Sequence, residues 1–253
     1  MVNKVFGLVG NPVKHSFSQK YFEEKFLNLH LTDCKYKLFC LEDINDFCKL
    51  IKEERNLCGL NVTSPYKEKV IEFLHSLSPE ATEIKAVNTI KKLADGRWKG
   101  FNTDCIGFAQ MLQSETDIKK IHSALVLGTG GASKAVTYAL KQLGIEFTVA
   151  SRRQDVKDKN TVTYFELNQS ENFSAFELIV NATPCGMEGY SAIAPLDTDK
   201  ITSNHTVVDL IYNPKQTLLL KTSAKQGAAT VNGLSMLVKQ AEAAWQIWNE
   251  EDE

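Results

Sequence analysis

Four polar clusters in the N-terminal part of the chain each follow an apolar run, and between them they carry side chains suited to proton transfer and polar-ligand binding. They are NPVKHSFS at 11–18, NVTSPYK at 61–67, VNT at 87–89 and NTD at 102–104. Strand ends in α/β sheets are where ligands bind. Lys67 offers an ammonium that can stabilise a developing oxyanion and donate a proton. Asp104 offers a carboxylate that can orient that ammonium and modulate its proton affinity. Each cluster taken alone also fits a plainer role. Ser16 or Ser18 can cap a following helix, Asp104 can cap the helix 105–113, and a lysine–aspartate pair can be a structural ion pair.

A second signal lies further on. The apolar run at 124–127 leads directly into Gly128-Thr129-Gly130-Gly131-Ala132-Ser133 and then a helical pattern. Gly128 permits a tight turn, and Gly130 lets the backbone approach a pyrophosphate. The helix N-terminus then presents free N–H groups to the anion. The third position is Ser133, still small. The next strand ends in Ser151-Arg152-Arg153, with no acid until Asp155. A carboxylate there would repel a 2′-phosphate, whereas arginine binds one bidentately, so the pattern points to NADP over NAD. The plainer reading is a tight turn followed by two solvated arginines.

The elements that must position these residues alternate between apolar runs and helical patterns, which predicts an α/β fold. Strands are expected at 5–10, 34–40, 59–63, 124–127, EFTVAS, TVTYF, ELIVNAT and TVVDLIY, with helices between them and a last helix from Leu234. Pro65 is expected in the first turn of a helix over 65–74, and Ser78-Pro79 at a second helix start. Asp95-Gly96 predicts a hairpin with a tight primed turn. The 253 residues allow one large domain or two small ones. The 29 basic and 31 acidic side chains give no sign of nucleic-acid binding. No apolar stretch is long enough to span a bilayer, and the N-terminus lacks a signal-peptide pattern. Six cysteines without a CxxC or metal-ligand spacing indicate free thiols in a reducing cytoplasm and no metal site.

In this order the motifs resemble the shikimate dehydrogenase family. The match runs G-N-P-V-x-H-S-x-S, G-L-N-V-T-x-P-x-K, A-V-N-T, G-x-N-T-D-x-x-G, G-x-G-G-A-x-K-A, N-A-T-P-x-G-M, D-L-I-Y-N-P and N-G-L-x-M-L-V-x-Q-A. It covers residues from about 5 to 249. N-V-T-x-P-x-K followed by N-T-D is specific to this family and its close relatives.

The resemblance implies reversible NADPH-dependent reduction of 3-dehydroshikimate to shikimate, in aromatic amino-acid and chorismate biosynthesis. It implies a substrate domain of residues 1–103 with the returning C-terminal segment 234–253, and a Rossmann-type NADP domain of 104–233, around a cleft. It makes Lys67 and Asp104 the catalytic pair, with Lys67 the main acid–base group. Ser16, Ser18 and Tyr212 would hold the substrate carboxylate; Thr63, Asn88 and Gln240 would bind ring hydroxyls. The cofactor would meet Gly128, Thr129, Gly130, Gly131, Ala132, Ser151, Arg152, Arg153, Ala182, Thr183, Gly233 and Met236, although Met236 equally suits plain core. The family includes both monomers and homodimers, and the only partner implied is the small-molecule substrate. Five positions depart from its usual pattern: Gln19 for Pro, Thr129 for Ala, Ser151 and Arg153 for the Asn and Thr of Asn-Arg-Thr, and Ser235 for Gly. A quinate/shikimate dehydrogenase with broader substrate or cofactor use is the nearest rival. A non-catalytic NADP-binding regulatory module is the rival from another class, and it need not retain Lys67, Asp104 and Asn88 together.

Overall fold

The computed structural model describes residues 3–14, 16–152, 160–169 and 173–251. Arg153 lies outside the described residues. The chain divides into two units, Met1–Thr103 with Ala241–Glu253, and Asp104–Gln240.

The first unit is built on β1 (Lys4–Gly10), buried along its length after Lys4. It continues through α1 (Phe17–Asn28), β2 (Cys34–Cys40), α2 (Phe47–Glu53), β3 (Leu57–Val62), β4 (Ser76–Leu77), α3 (Pro79–Ile84), β5 (Thr89–Lys92) and β6 (Trp98–Phe101). Among the described residues these strands form one sheet in the order β2-β1-β3-β5-β6-β4. β1 runs parallel to β2 and β3, while β5 is antiparallel to both β3 and β6. Period-two alternation sends the side chains of β1 to opposite faces. Val5 and Val9 join Phe47, Leu57 and Val70 in one core, and Phe6 and Leu8 join Phe22, Phe26, Tyr36 and Trp248 in the other. Trp248 lies so close over β3 that a Cβ on Gly59 would come within 2.3 Å of its indole nitrogen, which donates to the Ile90 carbonyl at 3.0 Å.

Two local expectations are corrected here. No helix starts at Pro65: the segment winds only into a short 3₁₀ turn at Lys69–Phe73. Residues 63–67 are held as a loop by backbone that flanks β2 and β5. The Tyr66 hydroxyl donates to the Leu41 carbonyl at 2.7 Å, and the Lys67 carbonyl accepts from Val87 N at 2.7 Å. The β5–β6 hairpin forms, but not with a two-residue primed turn. Gly96 N donates to the Leu93 carbonyl, and Gly96 alone of the Asp-Gly pair has a positive φ, +86°. The glycine closes a longer loop from the left-handed position. Ser78 does cap α3 as expected, accepting from Ala81 N, with Pro79 in the first turn.

The second unit runs α4 (Asp104–Glu115), β7 (Ser123–Leu127), α5 (Gly131–Gln142), β8 (Glu146–Ser151), β9 (Thr161–Thr163), α6 (Tyr164–Gln169), β10 (Leu178–Asn181), β11 (Thr206–Asp209), α7 (Leu218–Lys225), β12 (Ala229–Asn232) and α8 (Leu234–Asn249). The strand expected at TVTYF stops at Thr163, where α6 begins. The strands pair in parallel in the order β12-β11-β10-β7-β8-β9. The order reverses between β7 and β10, so the crevice beyond their C-terminal ends is the topological switch point of a doubly wound sheet. The division between the units falls inside α8, after Gln240.

Candidate active site

In the first unit the polar residues stand at the C-terminal ends of β1 and β3 and at the start of β5. Asn88 is buried, and its carboxamide is engaged with Thr103: Oδ1 accepts from Thr103 N at 2.6 Å and Nδ2 donates to Thr103 Oγ1 at 3.0 Å. The preceding residue, Val87, donates its N–H to the Lys67 carbonyl. One dipeptide therefore holds both the lysine loop and the residue that precedes Asp104. Asp104 itself opens α4 rather than capping it, and it is buried in the first turn. Thr63 follows β3 and is held by its N–H to the Val9 carbonyl at 2.9 Å.

Ser16 is the N-cap of α1 and accepts from Ser18 N at 3.1 Å, so the capping role is real and leaves the hydroxyl proton for a ligand. Ser18 is buried beside the Tyr36 hydroxyl. Tyr36 is fully enclosed and donates to Asn61 Oδ1 at 2.8 Å, and Asn61 Nδ2 donates to Thr89 Oγ1 at 3.2 Å. Thr89 Oγ1 in turn lies 3.1 Å from Thr103 Oγ1. A buried polar chain thus runs beneath Ser18, Thr63 and Asn88, and burial pushes the Tyr36 phenol well above its usual proton affinity. Neither Tyr36 nor Asn61 stood among the site residues expected from sequence. Asn61 signals itself as an amide closing an apolar strand, but the partner on β2 has no sequence signature.

In the second unit the glycine turn sits at the switch point. Gly128 has φ +106°, the left-handed region that favours glycine, and donates its N–H to the Ala150 carbonyl at 3.0 Å. Gly130 is the N-cap of α5, and a Cβ there would meet no atom within 4 Å. Packing does not require that glycine; the open space in front of the helix N-terminus is what a pyrophosphate needs. Thr129 completes the turn, Gly131 and Ala132 open α5, and Ser133 in its first turn donates to the Gly128 carbonyl at 2.6 Å. Ser151 is buried at the end of β8, and Arg152 follows it, exposed. Among the described residues no carboxylate stands at that strand end, and those present fit a 2′-phosphate.

Ala182 and Thr183 follow β10 at the same edge. Ala182 N donates to the Leu127 carbonyl, and Thr183 donates through N and Oγ1 to Asn181 Oδ1 at 3.0 and 2.6 Å. Tyr212 is half-buried in the turn after β11, and burial raises its phenol. Gly233 carries its main chain against Leu210: a Cβ would fall 2.0 Å from the Leu210 carbonyl oxygen. Its need for glycine is therefore met by packing within the chain. Met236 and Gln240 are buried on α8. Gly107 explains the last residue of its motif, since a Cβ there would meet Met236 O at 2.7 Å and Gln240 N at 2.9 Å. Among the described residues no group of three or more His, Cys, Asp or Glu could hold a metal ion, and no helix is long and apolar enough to cross a membrane.

A parallel sheet with a glycine turn at its switch point is joined in one chain to a mixed sheet presenting amides, hydroxyls and a lysine, a two-unit α/β arrangement. A family profile for the shikimate dehydrogenase substrate-binding domain matches residues 8–90. A relative named shikimate dehydrogenase (NADP(+)) from Methanosphaera stadtmanae is 36% identical, over 96% of this chain and 90% of its own length. A solved chorismate mutase/shikimate 5-dehydrogenase fusion protein from Clostridium acetobutylicum superposes with a TM-score of 0.87 at 34% identity, covering 100% of this chain and 93% of that one. The shikimate 5-dehydrogenase of Thermus thermophilus, solved in complex with NADP(H) and shikimate, gives a TM-score of 0.84 at 31% identity over 97% of this chain and 93% of that chain. The chain belongs to the shikimate dehydrogenase family.

Proposed function

We propose that this protein catalyses the reversible NADPH-dependent reduction of 3-dehydroshikimate to shikimate, a step toward chorismate and the aromatic amino acids, with Lys67 and Asp104 as its acid–base pair. The observation that supports this most directly is the Val87–Asn88 step, which holds the Lys67 carbonyl through Val87 N and Thr103 through the Asn88 amide. A loose lysine on an exposed loop would not need that anchoring.

NADPH, when bound, supplies the hydride. Gly128, Gly130 and the N-terminus of α5 would hold its pyrophosphate, and Arg152 its 2′-phosphate. Lys67 stabilises the oxygen that gains charge as the ketone is reduced and gives it a proton; in the oxidative direction it takes that proton back. Asp104 keeps the ammonium oriented. Ser16, Ser18 and Tyr212 hold the carboxylate through hydroxyl donors, while Thr63, Asn88 and Gln240 bind the ring hydroxyls. The first unit is then the substrate domain and the second the cofactor domain. Polar groups left unpaired by an analogue lacking a hydroxyl penalise it, so selectivity is sharp.

The test is a set of initial rates with shikimate or quinate crossed against NADP or NAD. We expect shikimate with NADP to dominate, and Lys67→Met to lower kcat by about 10²–10⁴ while cofactor binding persists. Equal or better turnover of quinate, or of NAD, would replace the proposal with a broader quinate/shikimate activity. NADP binding without turnover of either substrate would leave a regulatory module.

A further inference from the structure

Asn181 and Asp209 close neighbouring strands, stand opposite each other in register, and are both fully buried. The Asp209 carboxylate is held by three donors rather than by a cation. Oδ1 accepts from Asn181 Nδ2 at 3.0 Å and from Ile211 N at 3.1 Å, and Oδ2 accepts from Thr217 Oγ1 at 2.7 Å. The Asn181 amide is constrained at both ends. Its oxygen receives Thr183 N and Oγ1, and its nitrogen faces two acceptors, Asp209 Oδ1 and the Cys185 carbonyl at 3.2 Å. Only one orientation of the amide satisfies all of these contacts. The same carboxylate therefore sets two turns, residues 182–185 through Asn181 and residues 210–212 through Ile211 N.

We propose that Asp209 is a positioning residue, coupling the turn that carries Ala182 and Thr183 to the turn that carries Tyr212, so that nicotinamide placement and substrate-carboxylate binding depend on one buried acceptor. The inference rests on the reading of those two turns given under Proposed function. It assigns Asp209 no contact with substrate or cofactor. The requirement is for an acceptor at Oδ1, not for a charge. An asparagine at 209 can keep Oδ1 toward Asn181 and Ile211 and turn its NH₂ to Thr217, whose hydroxyl can accept.

Asp209→Ala should lower kcat/KM for shikimate by about ten- to a hundredfold, with part of the loss in kcat, since a misplacement of about 1 Å costs on that order. Binding of NADP alone, measured by fluorescence quenching, should change far less, because the glycine turn and Arg152 are untouched. Asp209→Asn should stay within about threefold of wild type. Asn181→Asp sets two carboxylates about 3 Å apart, which must share a proton. Its rate should fall with rising pH at an inflection that wild type lacks and that the double variant with Asp209→Asn removes. Hydrogen exchange of the unliganded protein gives a readout independent of any activity: the amides of Thr183, Cys185 and Ile211 should lose protection in Asp209→Ala and keep it in Asp209→Asn. Wild-type kinetics in Asp209→Ala, an Asp209→Asn as impaired as Asp209→Ala, or an Asn181→Asp pH profile parallel to wild type would each overturn the proposal. Loss of exchange protection in a protein that turns over neither shikimate nor quinate would instead sink the functional reading and leave the coupling of the two turns standing.

Discussion

Removing a single oxygen from the first unit tests whether the buried polar chain beneath Ser18 and Asn88 is a working support. In Tyr36→Phe the ring stays stacked on Phe22, with centroids 4.8 Å apart and planes 11° from parallel, so shape is conserved and the cavity left is no larger than a hydroxyl. What is lost is the donor to Asn61 Oδ1, a 2.8 Å bond in a fully enclosed site, together with the hydroxyl's contact with Ser18. A buried acceptor left without a donor costs about 1–3 kcal/mol, and the more apolar ring returns part of that, giving a net loss of about 1–2 kcal/mol. The assay can be confined to the right half of the molecule. All three tryptophans, Trp98, Trp245 and Trp248, lie in the first unit, so their emission reports on that unit. With a urea slope of about 2 kcal/mol/M the midpoint should fall by about 0.5–1 M at unchanged slope. Asn61→Ala combined with Tyr36→Phe should cost less than the two single losses added together, because they remove the same bond. An unmoved midpoint in Tyr36→Phe, or strict additivity in the double variant, would refute the argument that this network is satisfied only through Tyr36.

Gly107→Ala should destabilise the second unit by about 1–3 kcal/mol and raise the KM for shikimate, because the new methyl meets the main chain of α8 at Met236 and Gln240; thermal melts and steady-state kinetics check it. Arg152→Ala should raise the KM for NADP about ten- to a hundredfold and leave that for NAD nearly unchanged, the loss of a charged hydrogen-bond donor being worth about 1.5–3 kcal/mol; an equal effect on both cofactors would remove the 2′-phosphate assignment. Glu242 links α8 to α1 through Lys25 Nζ at 2.7 Å and through the Tyr21 hydroxyl. Burial pushes its carboxyl up, but those two partners outweigh burial and hold it below its ordinary value near 4.5. Its stabilisation is therefore complete above about pH 4.5 and is lost as pH falls through the depressed folded value. Glu242→Gln should be less stable than wild type at neutral pH, and the two should converge in acid, as pH-dependent urea midpoints would reveal.

The turn between β7 and α5 was legible in the residue order because it depends on local geometry. A glycine turn between a strand and a helix needs only its own dihedrals, so the left-handed Gly128 and the helix start at Gly130 could be read directly. The Ser78-Pro79 helix start was legible for the same reason. Local reading failed where distant backbone competes for the same groups. Pro65 suits a helix start, yet Val87 and Leu41 draw Lys67 and Tyr66 into a loop. Asp95-Gly96 suits a two-residue turn, yet the strand register uses only the glycine's left-handed φ.

The sequence by itself determined which functional groups the protein owns and the strand ends or helix starts at which they stand, because periodicity, turn chemistry and capping act over a few residues. Tertiary structure alone decided which of those groups face one another. Tyr36 finds Asn61 only because β1 separates β2 from β3 in the sheet. Asp209 finds Asn181 only because β10 and β11 pair in that register. Buried polar atoms must be satisfied by whatever the fold brings within about 3 Å, and no spacing along the chain records which atom that will be.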